Sequence, residues 1–359
     1  MQQVRVSLGK KSYDIRIGHG ALASADGWLR ELGFSGRLVI ITDDTVRKLY
    51  GDRLTADLKS AGREVTLLSV PAGEAQKSLD TAGGLYRQLV EARAERQTPV
   101  LALGGGVIGD MAGFVAATYQ RGVPLVQVPT TLLAQVDSSI GGKVAVDVGQ
   151  LKNMAGTFYQ PRLVITDTAV LRTLPPNELA NGLAEVIKSA AIRDAPFFQY
   201  LEENMAKAKK LEEHVIEQVV FRTAGIKAAV VSEDETDTGL RNILNFGHTV
   251  GHAIEAVSGF AVPHGHAIAV GMTAAARISR RMGLLKEEEA ERLLSLIEAA
   301  GLPNSLPGMD AKAVLAAMQH DKKVRDGKMR FVLLRSIGDA FVTADVSPEM
   351  VKEVLSGEA

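Results

Sequence analysis

Apolar and polar residues alternate from Val4 to Ile17 on both sides of Gly9. A period of two interrupted by glycine predicts two strands joined by a turn, so the chain is expected to open with a hairpin. Three later runs, 37–42, 64–70 and 99–103, are short and almost unbroken in apolar character, and each is followed by a charged stretch of helical period. Strands buried on both faces read this way, and their alternation with helices predicts a largely parallel sheet. After about Pro175 the period lengthens. Helices are expected over 177–192, 211–232 and 264–282, and two late apolar runs, 329–335 and 340–346, suggest a small hairpin. No internal repeat is visible. The pattern predicts an α/β domain over residues 1–175 and a mostly α-helical domain over 176–359.

Composition supports that division, because 359 residues at 46% hydrophobic content are more than one core usually holds. A formal net charge of -1 gives no electrostatic footprint for nucleic acid. Cysteine is absent, which excludes disulfides, a thiolate nucleophile and cysteine-held zinc. Any metal must therefore use His, Asp or Glu. No run reaches the roughly 20 apolar residues needed to span a bilayer, and Met1 to Arg5 open no apolar signal core. The expectation is a cytoplasmic protein with a small-molecule partner, and neither nucleic acid nor membrane.

The run Gly104-Gly-Gly-Val-Ile-Gly109 follows a predicted strand and opens a helix. There, bare backbone can approach a pyrophosphate and the helix N-terminus can face its charge. The usual dinucleotide pattern places an acidic residue about 20 positions further on, but that region reads Val128-Pro-Thr-Thr131. The acidic candidates come earlier, where Asp43 and Asp44 end the strand 37–42. A tight strand-to-helix turn without a ligand would use the same glycines.

Five of the seven histidines stand in informative strings: His248 and His252 in His-Thr-Val-Gly-His, His264 and His266 in Pro-His-Gly-His, and His320 in His-Asp-Lys-Lys. Spacing alone puts His248 and His252 on one helical face as a pair of metal ligands. His264 reads equally well as a ligand at a helix start or as a cap. Glu185, in an apolar stretch, is a candidate carboxylate ligand, or else the partner of Lys188 one turn on. Between the two domains runs Pro129 to Lys143, too polar for a core segment, and expected to be a loop whose Gly141-Gly142-Lys143 could meet an anion.

Together these strings resemble the 3-dehydroquinate synthase family. The most specific pieces are Gly104 to Asp110, Val136-Asp-Ser-Ser-Ile-Gly-Gly-Lys143, Lys152-Asn153, Leu183-Ala-Glu-Val-Ile-Lys188 and Arg241-Asn-Ile-Leu-Asn-Phe-Gly-His-Thr-Val-Gly-His252, in family order. The resemblance implies an α/β N-terminal nucleotide-binding domain, a helical C-terminal domain, an active site in the cleft between them, and a homodimer. NAD would meet Asp43, Glu74, Lys77, Gly104, Gly105, Gly106, Asp110, Thr130, Thr131, Lys152 and Thr173. A divalent metal, zinc or cobalt, would be held by Glu185, His248 and His264. That set replaces the helical pair, since the family uses His252 near the substrate's phosphate. Substrate would further meet Asp137, Lys143, Asn153, Lys188, Lys227, Arg241, Asn245 and one or both of Lys322 and Lys323, with Arg121 reaching across the dimer.

The implied activity converts 3-deoxy-D-arabino-heptulosonate 7-phosphate to 3-dehydroquinate and phosphate, a step of the shikimate route to aromatic amino acids. NAD would serve catalytically and the metal as a Lewis acid. Rival expectations are another NAD- and metal-dependent sugar-phosphate cyclase, a metal-dependent polyol dehydrogenase, and a binding protein that keeps the fold without activity. One departure stands out: the family's usual His-Gly-Glu is here His264-Gly265-His266, which removes a carboxylate that could orient a ligand.

Overall fold

The computed structural model describes residues 1–149, 151–306, 308–319 and 329–357. The chain divides into two compact units, one of residues 1–174 with 216–236, the other of 175–215 with 237–359. The sequence suggests a single break at 175/176; the chain instead returns, and Ile216–Thr236 groups with the first unit. Helical periodicity marks a helix in this stretch but not which core receives it.

The first unit is built on strands β1 (Gln2–Val6), β2 (Tyr13–Gly18), β3 (Leu38–Asp43), β4 (Val65–Val70), β5 (Val100–Gly104), β6 (Leu125–Pro129) and β9 (Leu163–Asp167), in the order β1-β2-β9-β6-β5-β3-β4. The expected opening hairpin is β1 with β2, antiparallel with Val4 opposite Ile15. The other pairings are parallel. Alternate residues of each strand enter different cores. Val39, Ile41, Val100 and Ala102 pack on one side with Met111 and Val115, whereas Leu38, Ile40, Leu101 and Leu103 pack on the other with Leu29 and Leu58. Burial on both faces explains why these runs show no polar alternation.

Helices α1 (Ala25–Glu31), α2 (Asp44–Val46), α3 (Asp52–Ser60), α4 (Leu79–Glu91) and α5 (Gly106–Thr118) connect the strands. The strand order reverses direction between β3 and β5: β4 lies beyond β3, and β6 then β9 lie beyond β5. Such a switch point leaves a crevice at the carboxyl ends of the two central strands, where open α/β sheets bind ligands. Asp43 ends β3 and Gly104 ends β5, with Thr42 paired to Leu103 just before them. The acidic residue therefore precedes the glycines in sequence and still neighbours them in space.

The polar string 129–143 is not the exposed loop its composition suggests. Leu132, Ala134, Gln135, Val136, Ser139 and Ile140 are all buried, around a π-helical turn at Ala134–Ser138. Two of its side-chain donors are paired internally: Gln135 Nε2 donates to the Asp167 carbonyl at 2.9 Å, and Ser139 Oγ to that of Ala134 at 2.6 Å, while Gln135 Oε1 is buried without a partner among the described residues. Donors paired to carbonyls can be buried at little cost, so low apolar content misreads this segment. The chain continues into the hairpin β7 (Lys143–Val148) and β8 (Leu151–Phe158).

In the second unit lie α6 (Pro176–Arg193), α7 (Ala195–Lys209), α9 (His248–Val257), α10 (His264–Arg281), α11 (Glu287–Ala299), α12 (Ala311–Gln319) and α13 (Pro348–Ser356). Helix α8 (Glu213–Glu233) passes from this unit into the first. The late hairpin is present as β10 (Phe331–Ser336) and β11 (Asp339–Thr343). No helix among the described residues is long and apolar enough to cross a membrane.

Candidate active site

In the first unit, Gly104 ends β5, Gly105 is the N-cap of α5 and Gly106 its first residue. No side chain caps this helix, so its leading N–H groups face outward at the positive end of the dipole. The glycines are also needed sterically. A Cβ on Gly104 would stand 2.6 Å from Ile108 Cβ, one on Gly105 3.1 Å from the Thr131 methyl, and one on Gly106 3.2 Å from Ser138 Oγ. Thr130 N donates to the Gly104 carbonyl at 2.9 Å, which brings Thr130 and Thr131 to the same edge. Asp43 caps the turn after β3, its Oδ1 accepting from Thr45 N and Val46 N at 2.9 and 3.0 Å. Thr173 meets Tyr50 Oη at 2.6 Å, on the segment following β3.

Several of the charged candidates in this unit are paired. Lys77, buried, places Nζ 2.6 Å from Asp110 Oδ2 and 2.5 Å from Asn153 Oδ1. Burial pushes the Asp110 carboxyl above its usual range, against the opposing pull of Lys77. Asn153 takes a left-handed φ of 56°, and its N–H donates to Asp147 at 2.7 Å, folding the β7–β8 tip back toward Lys77. Lys152 lies 3.3 Å from Glu74. Lys227, on α8, donates to the Asp137 carboxylate at 2.6 Å and to its carbonyl at 2.7 Å. Lys143 opens β7, exposed. Arg121, with φ of 65°, stands in the turn before β6, at the amino edge of the sheet and away from the glycine turn.

The second unit assembles its cluster from three helices. Glycines let α9 and α10 approach closely: a Cβ on Gly271 would collide with the Gly247 carbonyl, and one on Gly251 would stand 2.6 Å from Ile268 Cδ1. Gly265 N–H donates to Asn181 Oδ1, tying the start of α10 to α6. His264 is the first residue of α10, His248 the first of α9, and Glu185 lies deep in α6 at 1% exposure. His248 Nε2 and His264 Nε2 both point at Glu185 Oε1, at 3.7 and 3.4 Å. One ligand atom from each of the three lies within 4.8 Å of the others, a group that could hold a metal ion.

The remaining ring nitrogens are also directed. His248 Nδ1 faces the Phe246 carbonyl at 3.2 Å, and His264 Nδ1 faces Glu255 Oε1 at 3.3 Å. Burial disfavours the charged form of His264, but hydrogen bonds to Glu185 and Glu255, reinforced by their charges, prevail and raise its pKa to about 9. Lys188, buried, is in direct contact with Glu185, which is the charge pair expected of these two residues and is compatible with Glu185 also facing His248 and His264. His252 packs edge-on to His248 with ring centroids 5.2 Å apart. It belongs to a second possible group, His252, Glu255 and His264, and neither group contains both members of the helical histidine pair. Arg241, buried, and Asn245 lie on the helical turn Leu240–Asn245 before α9. Lys322 and Lys323, like His320, lie outside the described residues.

Glu255 is the residue the sequence reading passes over. Its signal is present: His248, His252 and Glu255 stand at i, i+4 and i+7, one face of α9.

Residues 67–181 match the family model described as 3-dehydroquinate synthase N-terminal, and residues 182–324 the one described as 3-dehydroquinate synthase C-terminal. The chain belongs to the 3-dehydroquinate synthase family. A curated 3-dehydroquinate synthase of Dehalococcoides mccartyi (strain CBDB1) is 51% identical, over 99% of each chain. Among solved structures, 2-epi-5-epi-valiolone synthase from Streptomyces hygroscopicus subsp. jinggangensis, with NAD+ and Zn2+ bound, is similar at a TM-score of 0.90 and 31% identity, over 98% of each chain. A 2-deoxy-scyllo-inosose synthase complexed with carbaglucose-6-phosphate, NAD+ and Co2+ is similar at a TM-score of 0.91 and 28% identity, over 99% of each chain. The two family matches together span residues 67–324, and so include both the glycine turn and the histidine cluster.

Proposed function

We propose that this protein is a 3-dehydroquinate synthase, converting 3-deoxy-D-arabino-heptulosonate 7-phosphate to 3-dehydroquinate and phosphate in the shikimate route. The observation that carries the reading is the full-length, 51% identical 3-dehydroquinate synthase relative. The cyclases of other names are similar at 31% and 28% identity, and this difference sets the alternative, another NAD- and metal-dependent sugar-phosphate cyclase, second.

The residues present fit both groups that such a reaction needs. The uncapped start of α5 and the close-packed Gly104 to Gly106 suit a pyrophosphate, and Asp43 at the end of β3 suits a ribose hydroxyl. Glu185, His248 and His264 offer one oxygen and two nitrogens, a donor set that suits zinc or cobalt. When bound, NAD supplies reversible hydride transfer and the metal Lewis-acid polarisation of an oxygen. The chain's own residues do the rest. Lys188 balances the Glu185 carboxylate in the buried cluster. The Phe246 carbonyl holds His248 in the tautomer whose Nε2 is unprotonated. Asp137 fixes the Lys227 ammonium, which together with Arg241, Lys143 and Lys188 is assigned to the substrate's carboxylate and phosphate. Such cations favour phosphate departure by position and charge. Arg121, at the amino edge of its own sheet, is assigned to a partner copy's site, which supports a homodimer. The cytoplasm is the proposed location.

The test is a coupled pair of measurements on the heptulosonate phosphate with NAD and zinc. Stoichiometric phosphate release without accumulation of absorbance at 340 nm is expected. Steady NADH build-up would assign the protein to dehydrogenases instead. Arg241→Lys should lose activity on the carboxylated substrate while NAD and zinc uptake persist, because the paired guanidinium donors go while the charge stays. A variant that turns over this substrate normally would make Arg241 structural and leave the choice over a carboxylate-free cyclase to Lys227 and overall resemblance.

A further inference from the structure

We propose that Glu255 is a positioning residue: its carboxylate fixes the tautomer and orientation of His264 so that Nε2 is presented to a divalent metal. The proposal rests on reading Glu185, His248 and His264 as the metal set. Two ring nitrogens converge on one Glu185 oxygen, and in each ring the other nitrogen meets an acceptor. For His248 the acceptor is the neutral Phe246 carbonyl, two residues back on the same segment. For His264 it is a carboxylate from a different helix, 3.3 Å from Nδ1. A histidine with its Nδ1–H held in this way is both oriented and made a stronger donor at Nε2.

Three features make Glu255 suited to this task. It is 8% exposed, and its position on α9 is fixed by the glycine-mediated packing of that helix against α10. It shares a helical face with His248, so one rigid element carries both a candidate ligand and the support of another. The third feature is the substitution at 266. The carboxylate that the family resemblance leads one to expect there is missing, and the imidazole at 266 has a buried Nδ1 without a hydrogen-bond partner among the described residues. The carboxylate at His264 Nδ1 is that of Glu255.

The experiment is titration of the metal-free full-length chain with Co2+ alone, in wild type, Glu255→Gln and Glu255→Ala. Affinity is read by competition with a chromophoric chelator, geometry by the visible absorption of the bound ion, and folding by thermal midpoint. For Glu255→Ala, cobalt affinity is expected to fall about 10- to 100-fold with a changed visible spectrum. Glu255→Gln, which keeps an acceptor but loses the charge, should lie between, and should still unfold in one cooperative transition. That variant keeps the test decisive if the alanine variant does not fold. Wild-type affinity and spectrum in a folded Glu255→Gln would overturn the proposal, leaving the three-ligand reading intact. Two cobalt ions per chain, the second lost in both Glu255 variants, would make Glu255 a ligand with His252 and also overturn it. A wild type that takes up no cobalt would overturn the three-ligand reading and the proposal together.

Discussion

The glycine turn of the first unit and the histidine cluster of the second are built on opposite principles. Gly104 to Gly106 are contiguous, contribute backbone, and matter for what they lack: a Cβ at any of them meets an atom within 3.2 Å. Glu185, His248 and His264 start three separate approaches from α6, α9 and α10, and matter for the atoms they bring. A backbone site fails when volume is added, and a side-chain site fails when chemistry is removed. The largest effect is accordingly expected on the side-chain side. Glu185→Gln should leave Lys188 without its buried counter-charge, a loss of about 3–5 kcal/mol, and remove the anionic ligand. Zinc content should fall to a small fraction of stoichiometric and phosphate release by about a thousandfold, while NAD binding measured by fluorescence is kept. Full zinc occupancy in that variant would break the comparison.

The backbone site should respond to volume alone. Gly104→Ala sets its methyl 2.6 Å from Ile108 Cβ, and Ile108 is buried, so the turn must shift at a cost of roughly 1–3 kcal/mol. The KM for NAD is expected to rise about tenfold or more with zinc content unchanged. An unchanged KM would show the turn to be structural only, with NAD held elsewhere.

These two sites also differ in how much of them can be read from the chain. The strands 37–42, 64–70 and 99–103 are legible because burial on both faces leaves an unbroken apolar run, and the glycine string is legible because a backbone site is local. Residues 129–143 are not, since Gln135 and Ser139 place their donors on carbonyls inside the core and composition cannot show that. The histidine cluster is half legible. Helical spacing joins His248 to His252, but the third dimension joins His248 to Glu185 and His264, and only the family resemblance anticipates this set. Glu255 stands outside the recognised strings, and only its place at i+7 on the His248–His252 face of α9 marks it in the sequence.

A subtler contrast concerns protons. The pKa of His264 is raised to about 9 from an ordinary value near 6.5, because Glu185 and Glu255 favour its charged form more than burial opposes it. A raised folded-state pKa stabilises the fold fully below the unfolded value and loses that contribution as pH rises through the folded one. Metal-free protein should therefore show a thermal midpoint that declines between about pH 6.5 and pH 9, by a few degrees. Metal uptake at Nε2 must displace this proton, so zinc affinity should strengthen over the same window. His264→Asn should flatten the first trend and weaken the second. The glycine turn has no titrating group of its own, and NAD affinity is expected to stay level across that range.

The smallest effect tests whether glycine in the first unit signifies function at all. Gly84 lies within α4, has no atom within 4 Å of an added Cβ, and is not in the left-handed region. There a glycine only enlarges the conformational freedom of the unfolded chain, so Gly84→Ala should stabilise by about 0.4–1 kcal/mol. The thermal midpoint should rise by about 1–3 °C, with the KM for NAD, zinc content and phosphate release unaltered. The chemical change is the same as in Gly104→Ala, one methyl replacing one hydrogen, and the two differ only in what surrounds it. Opposite signs for the two variants would establish that the turn at Gly104 is constrained by its neighbours and not by glycine's flexibility. If Gly84→Ala also raised the KM for NAD, α4 would have to contribute to the nucleotide site, and the division between a local backbone site and its inert surroundings would not hold.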